Sequence, residues 1–548
     1  MAPRNPRTRL ATHDVENQPS PFEDVNLYAA DAILRTGCAW SGAGAYAQRL
    51  DAFGARAGAA QTQEWAREAN RNPPQLQAYD RYGRRLDEVA FHPAYHRLMA
   101  LGLEAGVSAA AWNAGAAGHA LHAALMFLMS QADYGACCPM SMTYAAVPAL
   151  EAEPAAAAFW RPRVTTEGYD RRVVPAAEKT AATMGMAMTE KQGGSDLRAN
   201  TTRAMRQGDG GYLLTGHKWF CSAPMSDAFL TLAQAEEGLT CFLVPRWRPD
   251  GERNAIEIQR LKDKLGDRSN ASAEIEYREA WGQRIGAPGR GVRAILAMVE
   301  LTRFDCVIGA AAQIRQAGGL AAWHAAGRSA FQKKLIDQPA MRAVLADLAI
   351  EAEAAAALVF RLAQALDAAG GDPREAALAR VGLPLAKYLV CKRAPHAVAE
   401  AMEAHGGAGY VEEGPMPRLF RQSPLNAIWE GSGNVIALDV LRALSRAPEA
   451  RDALLGEIRE AAHAERRIAG ALAEAEAIAA GPVAESRARH AAERLALAFA
   501  AAVLVTRGPA AAADAFIARR LQAPSLTFGA GDGGIDETAL IERLSWQG

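Results

Sequence analysis

Apolar and polar positions change rhythm twice along the chain. From Leu27 to about Ala158 the sequence is alanine-rich with apolar residues at helical spacing, as in Phe91–Met99 and His119–Ala132, interrupted near Pro73-Pro74 and Pro139. Between about Thr183 and Ile285 short apolar segments alternate with turn residues: Phe229–Ala233, Thr240–Val244, Ile256–Ile258 and Ala271–Tyr277 read as strands. Helical spacing returns in Val292–Ala317, where Ile295, Met298, Val299 and Thr302 recur on one face, and continues through Pro339–Ala368 and Arg374–His405. These patterns predict a mostly α protein with a central β-domain. An extended arm (1–27) carries Pro3, Pro6, Pro19 and Pro21 and is free to clasp a neighbouring subunit. A helical N-terminal domain (28–182), a β-domain (183–288) and a helical bundle (289–445) follow. The last segment (446–548), punctuated by Pro482, Pro509 and Pro524, reads as a further helical bundle.

Composition narrows the picture by exclusion. At 548 residues the chain exceeds one core, and a formal net charge of -1 gives no global attraction to nucleic acid, acidic substrates or membranes. Any charged partner must be met locally. Seven cysteines lie scattered without paired metal spacing, which predicts a reducing, cytoplasmic setting and no bound metal. Neither a leader-like apolar segment nor a bilayer-length apolar run follows Arg4, Arg7 and Arg9, so no membrane partner is expected.

Two stretches carry candidate chemistry. The loop Gly185-Met-Ala-Met-Thr-Glu-Lys-Gln-Gly-Gly-Ser-Asp196 combines two glycines, which permit close backbone approach to a ligand, with the hydroxyls of Thr189 and Ser195. The β-rich run Tyr212–Phe220 then delivers Trp219 beside it. A Thr-Glu-x-x-x-Gly-Ser-Asp loop followed by Gly-x-Lys-Trp resembles the flavin-binding core of the acyl-CoA dehydrogenase family. Met188–Thr202 resembles its AidB branch, linked to the bacterial response to DNA alkylation, as do Asn17-Gln-Pro, Asn26-Leu-Tyr, Asn72-Pro-Pro and Arg84-Arg-Leu-Asp. The second stretch, Ile428-Trp-Glu-Gly-Ser-Gly-Asn434, resembles the family's aromatic-Glu-Gly-Thr/Ser signature.

The resemblance implies a fold of helical N-domain, β-barrel-like middle domain and four-helix bundle, assembled as a homotetramer around FAD. It implies that Met188, Thr189 and Ser195 hold the flavin and pyrophosphate, with Trp219, Phe220, Cys221 and Ser222 along one flavin face. Either Cys221 or Ser222 then faces N5. Gly431, Ser432 and Asn434 complete the site, and Arg328 and Phe331 reach the adenosine diphosphate half from a second subunit. Glu403 stands where the family has glutamine.

Glu430 is the implied base, removing the proton α to an acyl-CoA carbonyl, with an electron-transfer flavoprotein as acceptor; on the residues alone it could equally cap the helix Val435–Ala443. Thr302, before Arg303, cannot be that base. Arg442 either ion-pairs with Glu430 or pairs with a surface acid. The AidB likeness also implies duplex DNA as a partner of segment 446–548. That segment holds 12 Arg and no Lys against 14 Asp and Glu, a net of -2, so binding would need local convergence of Arg466, Arg467, Arg487, Arg494, Arg519 and Arg520. Two functions follow: an FAD protein of the alkylation response that binds DNA and has weak dehydrogenase activity, or a short- or branched-chain acyl-CoA dehydrogenase whose extension is only structural.

Overall fold

The computed structural model describes residues 6–208, 210–532 and 534–546; Pro3 and Arg4 of the arm, Asp209 in the turn before Tyr212, Gly533 and the last two residues lie outside it. Helices precede and follow a single barrel-like sheet, and the functional stretches lie where the three parts meet. Among the described residues no helix is long and apolar enough to cross a membrane.

The N-terminal domain is not purely helical. After Pro73-Pro74 the chain forms an antiparallel hairpin, β1 (Gln75–Tyr79) and β2 (Arg85–Ala90), where the sequence showed only an interruption. Asp87, at φ 50, fastens it to the barrel: its Oδ1 accepts from the Ile258 amide (2.7 Å) and its carbonyl from Arg246 Nη2 (3.1 Å). Two helices, α1 (Gly118–Ala132) and α2 (Tyr134–Ala145), run inward against the bundle and are almost entirely buried.

The barrel comprises β3 (Met184–Ala187), β4 (Arg203–Arg206), β5 (Tyr212–Ser222), β6 (Ala228–Ala235), β7 (Gly238–Pro245), β8 (Ile256–Leu261) and β9 (Ser272–Ile285). Antiparallel pairs β6–β7, β7–β9, β9–β5 and β5–β4 close through a short parallel contact of β4 with β6, while β3 pairs with β6 and β8 with β9. Closure leaves few unpaired edges and a rigid platform. The register of β5 on β9 slips between Lys218 and Cys221, a bulge that governs which side chains of this strand face outward.

The bundle is built on α3 (Gly291–Gly327), α4 (Pro339–Ala368) and α5 (Pro373–Ala404), with α6 (Gly433–Arg446) across them. Alanine-rich runs favour helix, proline sits in the first turn of α4 and α5, and Asp372 caps α5 by accepting from the Arg374 amide (2.8 Å). Between α3 and α4 lies a tight hairpin, β10 (Ser329–Ala330) and β11 (Lys333–Lys334).

Segment 446–546 is helical, as its composition suggests, and packs directly on the bundle. Its helices α7 (Pro448–Ala464), α8 (Ala488–Arg507) and α9 (Glu537–Leu544) share one continuous apolar core with α4 and α5, through Leu495, Phe499 and Val503 among others. A stretch folded against existing helices needs no core of its own. The seven cysteines are all buried and unpaired.

Candidate active site

The loop after β3 is organised by Glu190, a residue that sequence reasoning did not single out. Its buried carboxylate accepts from the amides and hydroxyls of Thr201 and Thr202, at 2.6–3.1 Å, and from Lys218 Nζ of β5 at 2.9 Å. Burial alone would raise its pKa, but these donors outweigh it and hold the carboxyl well below the usual range. The loop is thereby tied to the strand. Gly194 permits the tight passage: a Cβ there would lie 2.3 Å from Thr189 Oγ1. The Trp219 amide donates to the Thr189 carbonyl (2.7 Å), which sets Trp219 beside the loop. Among the described residues the hydroxyls of Thr189 and Ser195 have no protein partner.

The bulge sets Cys221 and Ser222 on opposite sides of β5. Strict alternation would put Trp219 and Cys221 on one face, but the slip turns Trp219 and Phe220 outward and Cys221 into the barrel core. Phe220 is 49 % exposed, whereas Cys221 is fully buried. Ser222 points the other way, toward Ser272 (3.3 Å) and the thiol of Cys138 on α2. Lys262 Nζ covers the Trp219 ring at 3.3 Å, with Lys191 and Arg260 at 5.7 Å.

Glu430 approaches the same space from the bundle. Cys138 lies beside Ser222 and within the field of Glu430, while Met188 of the loop and Trp429 pack on one apolar cluster with Cys138. Glu430 is itself a strained residue, at φ 55, followed by Gly431 at φ 107. A non-glycine residue held there costs about 1–3 kcal/mol and persists only where its surroundings impose it. Here two cations impose it. Buried Lys387 donates to the carbonyls of Asn426 (3.1 Å), Trp429 (2.9 Å) and Gly431 (2.9 Å), and Arg303 Nε donates to the Glu430 carbonyl (2.9 Å). The residue as a whole is half-buried. Burial raises its pKa; the Thr302 hydroxyl, donating to Oε2 at 3.0 Å, and the charges of Lys387 and Arg303 oppose that rise. Burial thus shifts this carboxyl toward higher pKa, and it is not a helix cap: α6 starts at Gly433 after Ser432, with no side-chain cap. Thr302 is thus the hydrogen-bond partner of Glu430.

Arg442 does not reach Glu430. It pairs with Asp439 at 3.5 Å, the same carboxylate that holds Arg303 and Arg380, each at 2.9 Å. One helical turn separates Asp439 from Arg442, so the two sit on one helix face, and Arg442 is more than half exposed. No catalytic contact is left for it.

Residues 17–171 match the family model of the AidB N-terminal domain, residues 185–280 that of the acyl-CoA dehydrogenase middle domain, and residues 289–445 that of the acyl-CoA dehydrogenase C-terminal domain. The sequence is 49 % identical to AidB of Escherichia coli (strain K12) over 438 residues, covering 79 % of this chain and 81 % of the relative. The chain belongs to the AidB branch of the acyl-CoA dehydrogenase family. Members of that family bind FAD. In structure the chain resembles Caenorhabditis elegans ACDH-11 crystallised with C11-CoA (TM-score 0.82, 26 % identity, 99 % of this chain and 94 % of that one). It also shares the fold of a Bacillus anthracis acyl-CoA dehydrogenase complexed with FAD (TM-score 0.64, 19 % identity, 76 % of each chain).

The residues present in this AidB-branch chain fit such a flavin: unused hydroxyls of Thr189 and Ser195, outward Trp219 and Phe220, and exposed Ser432 and Asn434 next to the Glu430 turn. Arg328 and Phe331 stand apart. They follow the end of α3, about 40 Å along the helix from Thr302 at 1.5 Å per residue, farther than one FAD extends.

The six arginines of the extension do not converge. Arg519 is buried, and Arg520 turns inward to Glu351 (2.7 Å) and Asp347 (3.5 Å) of α4. Arg467 is neutralised by Glu465 and Asp514, and Arg494 by Glu474. Only Arg466 and Arg487 are exposed without an acidic partner among the described residues. A different pair converges instead: Lys392 of α5 and Arg489 of α8, neither with an acidic partner there, meet at Gly433, where a Cβ would lie 2.6 Å from Lys392 Cε and 3.7 Å from Arg489 Nη2. Burial and then the Arg489 charge push the Lys392 pKa down.

Proposed function

We propose that the protein is an FAD-dependent oxidoreductase of acyl-CoA thioesters in which Glu430 removes the α-proton. The observation that carries this reading is the placement of Glu430: a desolvated carboxylate on a strained, doubly pinned turn, across Cys138 from the Ser222 hydroxyl. Bound FAD would supply a hydride acceptor at its N5. Met188, Thr189, Ser195, Trp219, Phe220 and Ser222 would hold it on the barrel side, with Gly431, Ser432 and Asn434 on the bundle side. Ser222, not Cys221, is the hydroxyl offered to N5. Glu430 takes the proton α to the carbonyl, and its raised basicity narrows the gap to that weak carbon acid. The ACDH-11 likeness supports a thioester ligand, because a chain matching 99 % of this one, extension included, was crystallised with C11-CoA.

The 40 Å separation supports an oligomer in which Arg328 and Phe331 serve the flavin of a neighbouring subunit, within a homotetramer. Phe331 (89 %), Tyr410 (80 %) and Ile428 (63 %) stand exposed, consistent with apolar surface covered in such an assembly. Buried unpaired cysteines support a cytoplasmic setting, and an electron-transfer flavoprotein is the expected reoxidant.

The test is exchange of α-hydrogens: incubated with a saturated acyl-CoA in D2O, the holo-protein incorporates deuterium at the α-carbon and Glu430→Gln does not. Equal incorporation by both removes Glu430 as base.

A second reading, DNA binding in the alkylation response, rests on the uncompensated Arg466, Arg487, Arg489 and Lys392. If it holds, a gel-shift assay shows weakened duplex binding for the Arg487→Ala/Arg489→Ala pair, with a shallower salt dependence. Unaltered binding, or none by the full chain, rejects it.

A further inference from the structure

Both ends of the chain close over one spot, the end of α3, and the hairpin that leaves it is strained. The hairpin tip, Phe331 and Gln332, has φ of 51 and 60. A two-residue turn of this kind is ordinarily made by Asn-Gly, and two bulkier residues there need support from outside the hairpin.

That support comes from the N-terminal arm, which packs on its own chain at this point. Asn17 Nδ2 donates to the Ser329 carbonyl (2.8 Å), its Oδ1 accepts from the Ser329 amide (2.7 Å), and its carbonyl accepts from Arg328 Nη1 (3.1 Å). Asn17 is itself left-handed (φ 57), a conformation that asparagine tolerates. Downstream, Pro19 lies so close to Gly327 that a Cβ there would be 2.6 Å away, and the Ser20 carbonyl accepts from Trp323 Nε1 (2.8 Å). Phe22 is held between Trp323 (5.3 Å) and Trp546 (4.3 Å). Trp546 in turn lies 4.3 Å from the fully buried guanidinium of Arg315, which pairs with Asp31 at 3.0 Å. The last aromatic residue of the chain thus locks the first.

We propose that Asn17, Phe22 and Trp546 are positioning residues that fix Arg328 and Phe331 for the adenosine diphosphate half of FAD. This rests on the assignment of Arg328 and Phe331 to the flavin made above. Arg328 is caught at two points, its guanidinium on the Asn17 main-chain carbonyl and the residue after it on the Asn17 side chain; Asn17→Ala removes the second contact outright and, because alanine disfavours φ 57, displaces the carbonyl that makes the first. Phe22 and Trp546 act one step farther out by holding the arm down.

The test uses full-length protein stripped of flavin and titrated with FAD, following quenching of flavin fluorescence. Asn17→Ala and Phe22→Ala raise the FAD dissociation constant about tenfold, Asn17→Asp, which keeps the acceptor for the Ser329 amide, less than Asn17→Ala. Added to an Arg328→Ala/Phe331→Ala variant, Asn17→Ala weakens FAD no further, because Asn17 acts through those two residues. Hydrogen exchange of the apo-protein shows faster exchange at the Ser329 amide in Asn17→Ala, with the barrel amides unchanged, which separates positioning from general unfolding. If Arg328→Ala weakens FAD and Asn17→Ala does not, or if Asn17→Ala weakens FAD further in the Arg328→Ala/Phe331→Ala background, the positioning role is overturned while the flavin assignment stands. If Arg328→Ala leaves FAD binding unchanged, the flavin assignment itself falls and the proposal with it.

Discussion

Thr302→Val tests how the structure sets the basicity of Glu430. The substitution removes the hydroxyl that donates to Oε2 at 3.0 Å and nearly preserves side-chain volume. A hydrogen bond to a charged group contributes about 1.5–3 kcal/mol. At 1.36 kcal/mol per pKa unit, complete loss would raise the Glu430 pKa by about one to two units. The hydroxyl also lies 3.1 Å from the Val299 carbonyl, so its single proton is shared and the lower end, about one unit, is expected. The sign follows from the state stabilised: Thr302 favours the anion, so its removal adds to the rise that burial already causes. The assay is stopped-flow reduction of bound FAD by an acyl-CoA over the acid limb of the pH–rate profile. The limb should move to higher pH by about one unit, with the rate above it unchanged or slightly increased. An unmoved limb, or one displaced to lower pH, would refute the reasoning.

Four further outcomes are expected. Because burial raises the folded-state pKa of Glu430, the stability tied to its protonated form is lost as pH rises through that pKa; Glu430→Gln should therefore gain melting temperature over wild type at alkaline but not at acid pH. Lys387→Met leaves three buried carbonyls without their donor and should lower unfolding free energy by about 3 kcal/mol or more in denaturant titrations, a loss under 1 kcal/mol arguing against the pinned turn. Glu351, which burial would raise but which Arg393 and Arg520 hold at about 2, contributes stability present above its ordinary 4.5 and lost as pH falls toward 2; Arg520→Met should reduce that acid-sensitive part by roughly half of 3 kcal/mol, read from melting curves at pH values above and below it. Ser222→Ala should shift the bound-flavin spectrum and slow reduction, whereas Cys221→Ser should leave the spectrum alone and cost about 1–3 kcal/mol of stability for a buried hydroxyl.

Sequence pattern was informative where chemistry and local geometry coincide. The glycine-rich loop, the strand carrying Trp219 and the turn at Glu430 all announce themselves within a dozen residues, because a close backbone approach needs glycine wherever it occurs. What holds these pieces together did not show. Lys387 looks like any lysine in an amphipathic helix until the fold brings the 426–431 turn onto it, and Glu190 reads as part of a turn until Lys218 arrives from another strand. The bulge between Lys218 and Cys221 overturns simple alternation, so no inspection of β5 alone could choose Ser222 over Cys221. Arginine pairs mislead for the same reason: Arg519 and Arg520 resemble a basic patch, yet Glu351 and Asp347, some 170 positions earlier, draw Arg520 inward. The pair that does converge, Lys392 and Arg489, lies on two helices that only the docking of the extension brings together.

The central claim is that Glu430 works as a base beside a bound flavin. The most direct measurement is the anaerobic absorption spectrum of the holo-protein during titration with a panel of acyl-CoA thioesters, wild type against Glu430→Gln. With Glu430 as the base, at least one thioester bleaches the oxidised flavin bands in wild type and none does so in the variant at equal FAD content. Bound FAD that no thioester bleaches, or bleaching that survives in Glu430→Gln, would contradict it.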